Sequence, residues 1–538
     1  MDPSTDPAAP ASALQAPLPR ITPAFVAAHY PPALTVVHVD LLHRHGERTP
    51  VAHHIAEISP RYWNLCAVGN QLHQDFMSAL GHFPTGAASS SVPWQVSVFK
   101  KDGRSRGAVF GVSSTSEPHT TDTSTPSGAT CGFGQLTDRG RQSMTALGAH
   151  MRALYVDALQ FLPDAASSST MYLRTTSYSR TLESLQHTLG GLYPDLSADR
   201  PPLRINVRPP EVDNMFPDFG CKNMVRTFAR LNAQALEDCA AEYKQLRHDL
   251  QKVPALRPFL QAEAKSGKAR LAISVMDIIG PMRVHGMPLP EEIDDALIAR
   301  VSRMAAAEYL RSGWKSAALT RMQIGRLVHE LSENLVHAVE ADRTASLAPT
   351  TPRLGVYSGH DSTLAPLLAV FGHDSAQRSS GHNYSDITWP PFAASMRIEL
   401  LKDSTSPRPV VQPAWEQEQA DPTVDPAKVS PDKRIRPAGV PDSLYRWSPG
   451  RTAAHLATET NPRATRDYYV RVWYNDRVLQ LPTCRDPGAH HSRLGPAVCT
   501  LDGFFKQIAR FSSTKDEARA ECRIGAVDPH HAQAGPTS

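Results

Sequence analysis

The sequence predicts an α/β core interrupted by a block of helices, and three observations carry that prediction. Short apolar runs at Thr35–Val39, Met171–Leu173 and Leu354–Ser358 read as buried strands, and helical spacing follows the second and the third. Between about 220 and 342 apolar residues recur every three or four positions, with Ile324, Leu327, Val328, Leu331, Leu335, Val336 and Val339 as the clearest stripe. Within that block Ala272–Val275 is strand-like but too short to decide. A helical domain set into an α/β core is the simplest arrangement of these patterns.

In chain order, residues 1–30 are rich in Pro, Ala and Ser and are expected to be a disordered amino-terminal segment. The core is expected over 31–215 and 343–525, the helical cap domain over 216–342, and a disordered tail over 526–538. Two stretches depart from globular composition. Residues 84–130 carry runs of Ser, Thr and Gly that cannot bury enough apolar surface to offset their ordering entropy. Residues 403–465 are rich in Pro, Asp, Glu and Lys, and both stretches are expected to be surface insertions. Thr137 is placed to cap a helix whose first turn holds Asp138 and whose core face is Met144, Leu147, Met151, Leu154 and Tyr155. Leu182, Leu185, Leu189 and Leu192 mark the next helix, and Leu364, Leu367, Leu368 and Phe371 the one after Leu354–Ser358. Met396–Leu401 and Tyr468–Tyr474 alternate like strands of a half-exposed sheet.

Composition narrows the function classes. Hydrophobic residues are 41% of the 538, and the 46 prolines point to a core diluted by long non-core segments. A formal net charge of +3 argues for neither a nucleic-acid groove nor an anionic membrane surface. No run approaches the ~18 apolar residues of a transmembrane segment. Met1–Pro10 lacks the cationic start and apolar core of a secretory signal, and Asp2 and Asp6 oppose a transit peptide. An intracellular protein is therefore expected, cytoplasmic ahead of mitochondrial. The cysteines, Cys66, Cys131, Cys221, Cys239, Cys484, Cys499 and Cys522, fit no zinc spacing, and reduced thiols are the default in such a compartment.

The chemistry concentrates where strands stop. Thr35–Val39 leads into Arg44-His45-Gly46-Glu47-Arg48-Thr49-Pro50, the second strand ends at Arg174, and the third at His360-Asp361. In open α/β sheets ligands sit beyond the carboxyl ends of strands, so these three ends can share one site. Arginines gathered at one point need an anion among them, and their planar forks suit a phosphoryl group. Histidine supplies a nitrogen nucleophile near neutral pH. Gly46 permits a close approach that a side chain would block. His43 is expected to be structural.

The stretch Arg44–Pro50 resembles the signature loop of the histidine acid phosphatases. Gly134–Thr137, Tyr172–Thr176 with Arg180-Thr181, and Gly359–Thr363 resemble that family's next three motifs, in order. Trp389–Ala393 and the segment from Cys484 to Cys499–Asp502 resemble the lysophosphatidic acid phosphatases within it. The resemblance spans roughly residues 33–525 outside the two insertions. It implies a doubly wound mixed-sheet α/β core of the phosphoglycerate mutase kind with an inserted helical cap domain. It also implies an acid phosphatase that hydrolyses phosphate monoesters through a phosphohistidine on His45. Arg44, Arg48 and Arg174 would bind the phosphate, His360 would add a hydrogen bond, and Asp361 would protonate the leaving oxygen. No metal and no cofactor is called for, and the partner is a small-molecule phosphate ester, with the lysophospholipid lysophosphatidic acid as a candidate. Phytase is the alternative enzyme, although several phytases carry Asn after the His-Asp pair where this chain has Ser362-Thr363. A non-catalytic phosphate-binding scaffold is the other alternative. By position, Cys484–Cys499 and Cys221–Cys522 resemble family disulfides, Cys66–Cys131 less so, and Cys239 is left over, at odds with the default of reduced thiols.

Overall fold

A computed structural model of the chain describes residues 18–52, 55–60, 62–72, 94–99, 105–107, 129–196, 202–266, 271–314, 316–343, 352–372, 389–403, 405 and 467–523. Eleven strands among these form one mixed sheet: β1 Leu34–Arg44, β2 Trp94–Phe99, β3 Ser105–Gly107, β4 Met171–Thr175, β5 Leu203–Val207, β6 Leu354–Gly359, β7 Ser395–Asp403, β8 Tyr468–Tyr474, β9 Arg477–Leu479, β10 His490–His491 and β11 Gly495–Thr500. Their order is β10-β11-β8-β7-β1-β6-β4-β5-β2-β3, with β9 paired to β8. The run β1-β6-β4-β5-β2 is parallel, and β7, β8, β11 and β10 continue antiparallel from β1. Strand β1 therefore sits where the parallel and antiparallel halves meet, and its carboxyl end carries Arg44 and His45.

Helices cover the sheet because their apolar spacing matches the period of a turn. Thr137 caps helix Asp138–Arg152 as its sequence predicts, its side chain accepting from the Gly140 amide at 3.1 Å. Met144, Leu147 and Met151 of that helix join Leu185, Leu189 and Leu192 of helix Ser179–Leu192 in one cluster against Leu41, Leu173 and Val356 of the sheet. On the other face, Ile324, Leu327, Leu331, Leu335 and Val339 of helix Ala317–Arg343 pack with Tyr357, Leu364, Leu367, Met396 and Phe504.

A separate helical layer, Lys222–Glu237, Ala240–Gln251, Arg257–Ser266, Leu271–Val284 and Asp295–Tyr309, holds its own core of Leu246, Leu250, Val275, Ile278, Ile279 and Val301. Ile55, Trp63 and Phe392 join that core from the sheet side. The expected boundary at 342 shifts, because Ala317–Arg343 belongs to the sheet's cluster and not to this one. Ala272–Val275, left undecided in the sequence, is helical.

Four further expectations change. Residues 1–30 are not wholly without structure: Thr22 caps helix Pro23–His29, and buried Tyr30 donates its hydroxyl to Glu399 at 2.6 Å. Within 84–130, Trp94–Phe99 pairs in parallel with β5 and Ser105–Gly107 pairs with Trp94–Phe99, so this stretch supplies one edge of the sheet. Strands β7 and β8 are not half-exposed. Every residue of β7 is buried, because its polar positions enter a network in which Glu399 accepts from Tyr155, Trp473 and Arg471. Six of the seven cysteines are paired, as Cys66–Cys131, Cys221–Cys522 and Cys484–Cys499, and Cys239 is buried and in no disulfide. The stretch 403–465, beyond its first positions, and the tail 526–538 lie outside the described residues.

Candidate active site

Two neighbours hold the carboxyl end of β1 through backbone bonds. The His45 amide donates to Gly359 O at 3.0 Å on the β6 side, and the Ala393 amide donates to His45 O at 3.1 Å on the other. Ala393 reaches that position at φ 57°, a backbone region costly for a side chain and met mostly where surroundings enforce it. Gly46 is needed for packing: a Cβ there would lie 2.4 Å from Gly140 O, in the first turn of helix Asp138–Arg152. The signature loop thus rests on a neighbouring helix start, and the closeness that Gly46 permits is to that backbone.

His45 is 2% exposed, and its Nδ1 lies 2.8 Å from Gly46 O. A carbonyl can only accept, so Nδ1 carries the proton and Nε2 keeps its lone pair. Burial holds the imidazole well below its ordinary pKa, and Arg180, Arg44, Arg48 and His360 push the same way. The neutral, nucleophilic form is the one this environment favours.

Around His45 stand the other side chains singled out in the sequence, with one exception. Arg44 donates to Pro390 O at 2.6 Å, pairs with Asp361 Oδ2 at 2.7 Å, and lies 4.3 Å from the centre of the Phe392 ring. Arg48 pairs with Asp277 at 2.9 Å, which ties the loop to helix Leu271–Val284. His360, 3% exposed, lies 5.6 Å from the His45 ring centre, and its Nε2 is 2.9 Å from Thr176 Oγ1. Asp361 opens helix Asp361–Gly372, and its carboxylate accepts from the Ser362 amide at 2.8 Å and from Trp389 Nε1 at 3.1 Å. Burial alone would raise the Asp361 carboxyl, but Arg44, then Arg48 and His360, outweigh it and hold it below the usual carboxylate value. His43 is buried, with Nδ1 3.2 Å from Arg44 O, and burial lowers it to about 4.

The exception is Arg174. Its guanidinium, fully buried, is taken up by Glu330 at 3.0 and 3.1 Å, Asp213 at 2.5 Å and Asn214 at 2.5 Å. Arg208 shares Glu330 at 2.8 Å, so the group belongs to a closed ion network under helix Ala317–Arg343. The physical reason is position: Arg174 lies inside β4, not beyond its end. Arg180, in the first turn of the following helix, faces His45 instead and heads the charges that depress it. Among the described residues Arg180 has no carboxylate within ion-pair distance, and its guanidinium lies 4.5 Å from the centre of the Tyr178 ring. Burial, then Arg48, lowers its pKa to about 10. The pair Arg180-Thr181, already part of the resembling motif, was the signal for it.

Three guanidiniums therefore meet the two carboxylates of Asp361 and Asp277 around imidazoles whose pKa is held low, an excess of positive charge that an anion would relieve. Comparisons with known proteins agree with this chemistry. The profile of the histidine phosphatase superfamily, branch 2, matches residues 35–276 and 308–414. A probable acid phosphatase of Schizosaccharomyces pombe is 26% identical over 89% of this chain and 92% of its own length. Lysophosphatidic acid phosphatase type 6 of Bos taurus is 28% identical over 52% of this chain and 59% of its own. A Hafnia alvei phytase solved with myo-inositol hexakis sulphate shares the fold at a TM-score of 0.50 and 13% identity, over 92% of this chain and 100% of that one. With the profile covering more than half of its residues, the chain belongs to branch 2 of the histidine phosphatase superfamily.

Proposed function

We propose that this phosphomonoesterase transfers the phosphoryl group of its substrate to Nε2 of His45 and then to water. In the first step the N–P bond forms as the ester P–O bond breaks, and Asp361 gives its proton to the leaving oxygen. In the second, water attacks phosphorus, the N–P bond breaks, and the Asp361 carboxylate takes the water proton back. Arg44, Arg48 and Arg180 bind the phosphoryl oxygens, with His360 adding a hydrogen bond. Arg180 takes the place the sequence had given to Arg174.

The observation that carries this reading is the tautomer of His45: Nδ1 is committed to Gly46 O, which leaves Nε2 as the nucleophilic atom amid the guanidiniums. Asp361 begins as a carboxylate paired with Arg44. A bound phosphate shares Arg44 and Arg48, weakens their hold on Asp361 and raises it toward the protonated form that the acid role needs. The helices from Lys222 to Tyr309 act as the cap, since Asp277 on Leu271–Val284 reaches Arg48. The substrate class is phosphate monoesters, and lysophosphatidic acid, named for the Bos taurus relative, belongs among the candidates. The disulfides favour an oxidising compartment over the cytoplasmic one read from the amino terminus.

His45→Ala tests the mechanism. Hydrolysis of p-nitrophenyl phosphate should vanish while the circular dichroism spectrum is kept; activity near the wild-type level would refute covalent transfer to His45.

A further inference from the structure

The arginine cluster accounts for the phosphoryl end of a substrate, and the walls above it account for the other end. His360 meets two rings edge-on, Tyr178 at 4.9 Å and Phe216 at 5.4 Å, and Phe216 meets Phe219 at 5.8 Å. Along this ladder exposure rises from 3% at His360 to 55% at Phe219, with Tyr178 at 44%. Two more apolar side chains stand exposed in the stretches next to Gly134 and the signature loop. Val51, directly after the signature loop, is 48% exposed, and Phe133 is 59% exposed beside Gly134. A Cβ at Gly134 would lie 3.5 Å from an Arg180 nitrogen and 3.8 Å from Val51 Cγ1, which places Val51 near that guanidinium.

Single exposed apolar residues are ordinary, but large exposed ones gathered around one polar cleft mark a binding surface. Val51, Phe133, Tyr178 and Phe219 are four of the seven large hydrophobics that stand exposed among the described residues; Tyr178 and Phe219 belong to the ladder at His360, Val51 lies by Gly134 and Arg180, and Phe133 precedes Gly134 in the chain. The Phe216 wall is also fixed in advance. Asp213 is held by Arg174, the Met215 amide donates to Asp213 at 3.0 Å, Thr363 donates to Met215 O at 2.6 Å, and Cys221 is tied to Cys522. A rigid apolar surface loses little entropy when a ligand covers it.

We propose that Val51, Phe133, Tyr178, Phe216 and Phe219 form a leaving-group subsite for the unbranched apolar chain of an amphiphilic phosphate monoester. This rests on the phosphatase reading above. The anionic head goes to the cationic floor and the chain runs along the two ring-to-ring steps beyond His360, farther than a methyl or glycerol group reaches.

Methyl, butyl and octyl phosphate, each below its micelle concentration, test the subsite on wild-type enzyme, Phe219→Ser and Val51→Ser. Full burial of a methylene is a factor of about four, and a half-open wall should yield about two per methylene over the first several carbons. The octyl-to-methyl ratio of kcat/KM should be about 50 in the wild type and fall at least about fivefold in each variant. A flat chain-length profile in an enzyme that turns over methyl phosphate overturns the subsite and leaves the phosphatase reading standing. So does a profile that neither variant changes, or a kcat/KM for inositol hexakisphosphate above that for octyl phosphate. No turnover of any monoester overturns the phosphatase reading itself, and the subsite with it.

Discussion

Arg174 and Arg180 lie six residues apart, and their replacement by Met should produce opposite phenotypes. Arg180 has no carboxylate partner among the described residues and is lowered by burial and by Arg48. Arg180→Met removes a charge that its surroundings disfavour, at the loss of a cation–π contact with Tyr178 of about 0.5–1 kcal/mol. Melting temperature should change little or rise. Catalysis should suffer: one or two charge-assisted hydrogen bonds to phosphate, at about 1.5–3 kcal/mol each, correspond to a fall in kcat/KM of about ten- to ten-thousandfold. Arg174→Met instead strands Asp213 and part of Glu330 in the interior. Breaking such a buried pair costs about 3–5 kcal/mol, and Arg208, which still holds Glu330 at 2.8 Å, keeps the loss near the lower end. The assay is paired: calorimetric melting, and the inhibition constant of inorganic phosphate against p-nitrophenyl phosphate. If Arg174→Met weakened phosphate inhibition as much as Arg180→Met while melting normally, the assignment of the two arginines would be refuted.

Other expectations concern the acid, a buried carboxyl and one disulfide. Asp361→Asn removes the transferable proton and should slow alkyl phosphates by about 100- to 10,000-fold, but p-nitrophenyl phosphate far less; equal losses on both would remove Asp361 from the acid role. Burial raises Glu308 to about 7, against the hydrogen bonds it accepts from Tyr243, Ala272 and Ile273. Between 4.5 and 7 the folded chain then keeps a proton that the unfolded chain has lost, so this residue's contribution to stability falls as pH rises through that window. Glu308→Gln should flatten the melting-temperature profile there, and an unchanged slope counts against the shift. Replacing Cys221 and Cys522 by Ser opens a link across 301 residues, whose chain-entropy contribution has a ceiling of about 5 kcal/mol. Melting should drop by several degrees; no drop would mean that the link does not stabilise the fold.

Much of the site could be read in the sequence because it sits at strand ends. Arg44-His45 and His360-Asp361 terminate runs that are strands in the structure, and β1 and β6 lie side by side in register. Arg174 was misleading for the same reason: a short strand reads as ending one residue too early, and within a strand parity, not proximity to the end, decides which face a side chain takes. Trp94–Phe99 alternates apolar and polar residues, yet the Ser- and Thr-rich sequence on either side concealed it. The polar positions of β7 looked solvent-facing because their partners, Tyr30, Tyr155 and Arg471, lie between 72 and 369 residues away in sequence. Asp277, which holds Arg48, is likewise 229 residues from it, beyond the reach of any local pattern.

The Cys221–Cys522 link also imposes a schedule. Cys221 follows Phe219 by two residues, but its partner is made 301 residues later. At about 5–20 residues per second, that interval is roughly 15–60 s of synthesis. Through it Phe216 and Phe219 exist without their covalent anchor; the signature loop precedes them in the chain, and β6 and His360 are made before Cys522. Fastening of the aromatic wall is thereby tied to synthesis of Cys522, so a ribosome that stalls before that residue leaves Phe216 and Phe219 without their covalent anchor.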